Sequence, residues 1–176
     1  MALVKFYTLK SWKLEQDLKN DKAFSRNLRA DLQYRKYLQT IQSKLPPDFQ
    51  RFLTLAYLED GEVLKIEIET ALRIGSLWCT ALDVASKGTE GHYLRLEYQG
   101  LQKFSSTSPV QDSFGGDGYG DIGYTEIEIL AEGVFEHRFL FSTGIEMAFD
   151  FTDFKLIRLP LSDLKKSRYG KWRKLL

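Results

Sequence analysis

The chain has 176 residues, of which 43% are hydrophobic and 28% charged, with one cysteine and a formal net charge of +1. This composition excludes a disordered chain, a collagen-like chain and a bundle of membrane-spanning helices. A lone thiol, Cys79, excludes an intrachain disulfide and a cysteine-based zinc site. Twelve Phe, nine Tyr and three Trp supply a strongly packing core.

Met1–Lys5 lacks a basic leader followed by a sustained apolar run, so the expected location is the cytoplasm, and no membrane partner is expected. Thr8 or Ser11 can cap a first helix carrying Trp12, Leu14 and Leu18. Asn20-Asp21 opens a second, in which Phe24, Leu28 and Leu32 recur four apart and lead on to Leu38, Ile41 and Leu45. That spacing predicts one apolar helical face. Pro46-Pro47 ends it, and Pro47 suits the first position of a short helix reaching about Leu55.

After the turn Glu59-Asp60-Gly61 the period changes to two. Strands are predicted at 63–70, 76–85 and 93–98, with a short one at 101–104. Residues 105–121 read as a long loop ending in a glycine-rich stretch. Strands resume at 124–131, 134–141, 145–151 and 154–159, the last three spaced as antiparallel hairpins. Ser162-Asp163 can cap a final helical turn in the tail. Helices first and strands afterwards imply α+β. The expected fold is N-terminal helices followed by an antiparallel β-sandwich or strongly curved sheet of about seven to eight strands. Its parts are 1–56 helical, 57–160 β and 161–176 a basic tail, within one compact unit.

Charge is uneven. Residues 1–51 carry 11 Lys and Arg against 5 Asp and Glu, residues 52–160 carry 8 against 18, and residues 161–176 carry 6 against 1. Basic ends can offset the self-repulsion of an acidic body or offer a surface to a charged partner. The binding candidates follow from this layout. They are Glu59 and Asp60 in the turn, Asp117, Tyr119 and Asp121 in the glycine-rich loop, and Lys171, Trp172 and Arg173 in the tail.

Catalytic signatures are missing: the two histidines, His92 and His137, form no metal-ligand spacing, and no nucleophile elbow, P-loop or dinucleotide fingerprint occurs. His137 alternates with Phe135, Phe139 and Phe141, which places it on a core face. Glu67/Glu69 and Glu126/Glu128 read as acids on wet strand faces. No catalytic residue, metal or cofactor is therefore expected.

Several segments carry a family likeness. Val4 to Trp12, the helix with Tyr34 and Tyr37, Leu45-Pro46-Pro47-Asp48-Phe49 and Tyr57 to Val63 together resemble an uncharacterised bacterial family with N-terminal helices and a C-terminal β domain. That family is similar to the small β-rich immunity proteins found beside polymorphic toxins. It often has Leu-His-Asp before the first long strand, where this chain has Leu58-Glu59-Asp60. The resemblance implies no known reaction. The excess of acids across residues 52–160, on alternating strand positions, points to a non-catalytic protein-binding module, in one form an immunity-like inhibitor of a toxin. Two alternatives stand beside it: a nucleic-acid-associated module using the basic helix and tail, and an enzyme with a carboxylate site near the 105–121 loop.

Overall fold

The structure, a computed structural model, describes residues 6–15, 21–83, 91–107, 119–160, 164–166 and 172–174. Helix α1 (Leu9–Glu15) starts where Thr8 Oγ1 accepts the Ser11 amide at 3.1 Å, the bond that a capping hydroxyl supplies to an orphan donor. Helix α2 (Asp21–Ile41) tightens into a 3-10 turn at Gln42–Lys44, and α3 (Pro47–Leu55) begins with Pro47 in its first turn. Proline is favourable there because its φ suits a helix and its missing N–H would have no partner.

The strands are β1 (Ala56–Tyr57), β2 (Val63–Glu69), β3 (Ile74–Asp83), β4 (Gly91–Gln99), β5 (Lys103–Ser106), β6 (Ile122–Ala131), β7 (Val134–Phe141), β8 (Glu146–Phe151), β9 (Asp153–Pro160), β10 (Leu164–Lys166) and β11 (Trp172–Lys174). One sheet has five strands: β1 and β2 share an edge of β3, followed by β4 and β9. A second has four, in the order β5-β8-β7-β6, and β10 with β11 forms a separate pair. Every pairing is antiparallel. The two main sheets are the α+β fold with a β-rich back half that the helix-then-strand order predicts.

The sheets face each other and are joined along both sides. On one side a two-stranded ribbon turns the corner: β4 runs on into β5, and its partner β8 runs on into β9. The ladder continues through the bend, with Thr152 N–H donating to Gln99 O at 3.0 Å and Gln102 N–H to Asp150 O at 2.8 Å. Gly100 stands at this corner with φ +59°, where a Cβ would collide with the Thr152 side chain. On the other side the turn after β1 reaches across to β6. Asp60 N–H donates to Ile122 O and Ile122 N–H to Gly61 O, each at 2.9 Å, and Glu62 bridges Asp121. A side chain at Gly61 would meet the carbonyl oxygens of Thr80 and Leu58, so the close approach of backbones requires glycine.

Between the sheets lies one apolar core. Leu77, Cys79, Leu94, Leu96 and Tyr98 face Ile127, Phe139, Met147, Phe149 and Phe151, and the same cluster includes Ile41, Leu45, Phe49 and Phe52 of the helical part. Tyr98 stacks on Phe149 with ring centroids 4.2 Å apart. Phe49, fully buried, packs against His137, Phe151 and Phe154 and ties α3 to both sheets. Burial pushes the Cys79 thiol up to about 12, so it behaves as a small apolar side chain.

Several local expectations differ from the structure. The buried side of α2 carries Tyr34 and Ile41, whereas Leu28 and Leu32 are each 51% exposed. At 3.6 residues per turn, Leu32 stands about 200° around the helix from Tyr34 and about 180° from Ile41, so the two leucines lie on the side away from the core. Strands β8 and β9 are not a hairpin with each other, because the chain changes sheet between them. Ser105 and Ser106 belong to β5 and not to the loop. In the tail, Leu164–Lys166 is a strand paired with Trp172–Lys174 where a helical turn is predicted. The capping pair Ser162 and Asp163 lies outside the described residues.

Candidate functional site

Strand β6 is an edge strand, and its outward polar groups must be satisfied or covered. Register decides which groups point out. Ile127 pairs with His137, yet its amide donates to Tyr34 Oη at 2.8 Å, so the Ile127 backbone faces away from β7. Two residues on, the Ile129 amide donates to Tyr37 Oη at 3.4 Å. Helix α2 thus seals part of the edge with tyrosine hydroxyls three positions apart. Burial holds the Tyr34 phenol above the usual tyrosine range, so it stays protonated. The far edge of the other sheet is treated likewise: Asp48 of α3 accepts the Leu156 amide at 3.0 Å. Replacing Tyr34 with phenylalanine is expected to cost about 1–3 kcal/mol by stranding the Ile127 amide. Urea unfolding should show the loss, and an unchanged midpoint would contradict the capping role.

Glu126 departs most from its expected place. It is 2% exposed, and its Oε1 accepts the amides of Phe6 and Tyr7, each at 2.6 Å. Arg138, 4% exposed, lies among Glu126 (3.6 Å), Glu128 and Glu136 (2.7 Å). The Nε of Arg138 makes its ion pair with Glu136 without a well-directed hydrogen bond. Burial raises the Glu136 carboxyl above the usual range, with Arg138 opposing that shift and Asp150 adding to it. Glu126 is therefore not a solvated strand acid: the N-terminal segment lies over it, and its carboxylate anchors that segment.

A cleft of about 490 Å³ opens between α2, the end of α3 with β1, and β6. Tyr7, Tyr34, Tyr57 and Tyr124 line it together with Asp31, Arg35, Glu59 and Thr125. Tyr7 and Tyr124 stack with centroids 4.2 Å apart. Tyr7 Oη donates to Asp31 Oδ1 at 3.0 Å, Arg35 Nε donates to Asp31 Oδ2 at 2.8 Å, and Tyr57 Oη donates to Glu59. Burial first, then the neighbouring carboxylates, raises both the Tyr7 and Tyr57 phenols. At the mouth, Leu28 is 51% and Tyr57 49% exposed.

Of the residues singled out in the sequence, Glu59 lies in this cleft. Asp60 adopts φ +63°, a left-handed conformation that aspartate tolerates, and directs its amide to Ile122. Asp121 joins the same junction by its bridge to Glu62. Tyr119 is held elsewhere: its ring packs on Phe141 and its carbonyl accepts the Thr143 hydroxyl at 2.7 Å. Trp172 and Arg173 lie in β11, paired with Lys166 and Lys165. Asp117 and Lys171 lie outside the described residues. Asp31 and Arg35 are not among those residues, and Tyr7, Tyr34 and Tyr57 enter only through the segments of the family likeness. The sequence signal at Asp31 and Arg35 is their spacing of four on one helix face.

Among the described residues, no group of three or more His, Cys, Asp or Glu side chains is placed to hold a metal, and no helix is long and apolar enough to cross a membrane. Comparison with protein-family models, with curated proteins and with solved structures returns no match for this chain.

Proposed function

We propose that the protein is a non-catalytic protein-binding module and that the cleft beneath α2 is where it meets its partner. The observation that carries this reading is a concave site walled by aromatic rings, with exposed Leu28 and Tyr57 at its mouth. Aromatic side chains in such a setting bury much area for little lost rotamer freedom, as interface anchors do. Raised phenol pKa values and hydroxyls donating to carboxylates support binding and not nucleophilic chemistry, which needs the opposite shift. The excess of acids across residues 52–160 favours a basic partner, because complementary charge speeds encounter. An immunity-like inhibitor is the finer form of this reading.

The test is photo-crosslinking in the source cells. A photoreactive phenylalanine replaces Leu28 in one variant and Leu72, which is 64% exposed in the turn between β2 and β3, in another. Position 28 is expected to give a discrete protein adduct that position 72 does not. Identical adducts at both positions, or none at 28, would remove the proposal.

A further inference from the structure

We infer that the ribbon of β10 and β11 binds duplex DNA, entering the major groove with Lys165, Lys166, Arg173 and Lys174 as its cations. The inference concerns the tail alone and stands independently of the protein-binding reading at the cleft.

Register brings like charges together in the ribbon. Lys165 stands opposite Arg173, Lys166 opposite Trp172 and Leu164 opposite Lys174. Four of the six residues in these two strands are cations, and none is an acid. Like charges directly opposite each other destabilise an antiparallel pair. The ribbon also forms a sheet of its own, apart from the two main sheets. A lone two-stranded ribbon is marginal in water. A polyanion that spans both strands relieves the repulsion, and by binding the paired form it stabilises that form.

Charge and shape select the anion. Acids on the strands of the β body have cations of their own: Glu67 pairs with Lys65 at 2.5 Å, Glu97 with Arg95 at 2.6 Å and Glu136 with Arg138 at 2.7 Å. These carboxylates are therefore not waiting for the tail. An anionic bilayer favours a segment with one apolar face. Here each apolar residue stands opposite a cation, so the register leaves neither face apolar. The major groove of B-form DNA admits a two-stranded β-ribbon, whereas that of an RNA helix is deep and narrow. Phosphates border the DNA groove on both sides. Lys165 and Lys166 on one strand, and Arg173 and Lys174 on the other, supply cations to each side. The excess of acids across residues 52–160 repels a duplex from the body and confines contact to basic segments.

The experiment titrates the full chain into a short fluorescent DNA duplex and reads anisotropy. Four phosphate contacts set an expected loss of affinity of about a hundredfold between roughly 50 and 200 mM salt. An RNA duplex of the same sequence should bind at least tenfold more weakly. The variant Lys165→Gln/Arg173→Gln should bind DNA at least tenfold more weakly at the lower salt, with a salt slope shallower by about two. Its melting temperature without DNA should be no lower than the parent's, because the like-charge pair is gone. The charge-matched variant Arg29→Gln/Lys36→Gln, at exposed positions of α2, should stay within threefold of the parent. Mixed phosphatidylcholine and phosphatidylserine vesicles should retain none of the chain at salt where DNA is saturated. The inference is overturned by no binding to DNA, equal binding to the RNA duplex or to the vesicles, or equal losses in the two variants. A lower melting temperature in the tail variant also overturns it, since the tail would then be docked on the acidic body. None of these outcomes bears on cross-linking at Leu28, which tests the cleft separately.

Discussion

Arg138→Met is expected to destabilise the fold by about 3–5 kcal/mol, the usual cost of removing one partner from a buried ionic network. Arg138 is the cation that Glu126, Glu128 and Glu136 share on β6 and β7. Without it, Glu126, 2% exposed, loses this cation and keeps the Phe6 and Tyr7 amides against its charge. The carboxylates would then take up protons or turn toward water, and either response releases the N-terminal segment from β6. Urea unfolding at neutral pH measures the cost. Adding Glu126→Gln to Arg138→Met should recover part of the loss, because the stranded charge is removed while an acceptor for the two amides remains. A loss under about 1 kcal/mol in the single variant would mean that the network is not desolvated as its burial indicates.

The second large effect is acid sensitivity originating at His137. The ring is 1% exposed, packs on Phe49 and Phe139, and lies 2.8 Å from Tyr98 Oη through Nδ1. Burial pushes its pKa down from 6.5 to about 3. The unfolded chain therefore binds a proton that the folded chain refuses between those two values. His137 has no effect on stability above pH 6.5. As pH falls from 6.5 toward 3 its contribution declines, approaching about 1.4 kcal/mol per pH unit. Other groups act in the same range. Glu67, lowered chiefly by its hydrogen bond with Lys65, adds to acid loss, while Glu136, raised by burial, opposes it. The informative quantity is thus the difference between the parent chain and the double variant His137→Leu/Tyr98→Phe. That pair exchanges a hydrogen-bonded couple for apolar groups of similar shape, so it should be close to neutral at pH 7. Its stability should fall less steeply between pH 6 and 4. Parallel pH profiles would show that His137 does not stay neutral in the core.

How much of this was legible beforehand depends on the range of the interaction concerned. Leu94, Leu96 and Tyr98 on β4, and Phe135, His137, Phe139 and Phe141 on β7, alternate in the sequence and are all buried in the fold. Glu126 alternates just as regularly and was placed in water by the same rule. It is buried because the N-terminal segment, about 120 positions away, lies over that face. Tyr34 and Tyr37 were legible as part of a helix and not as caps on a strand edge, since nothing near them indicates that β6 is adjacent. Glu59 reached the cleft on a turn signal alone. Asp31 and Arg35, which supply most of its charge, looked like an ordinary surface pair.

Alternation along each strand, the proline stop before α3 and the order of helices then strands are set by neighbouring residues, and they determined the class of fold and most of its core. Which sheet edges are covered, which carboxylate is dry and where a cleft remains were decided only when distant segments met. Burial and hydrogen-bond partnership are properties of the surroundings, and at Glu126 and Tyr34 those surroundings come from chain dozens of residues away.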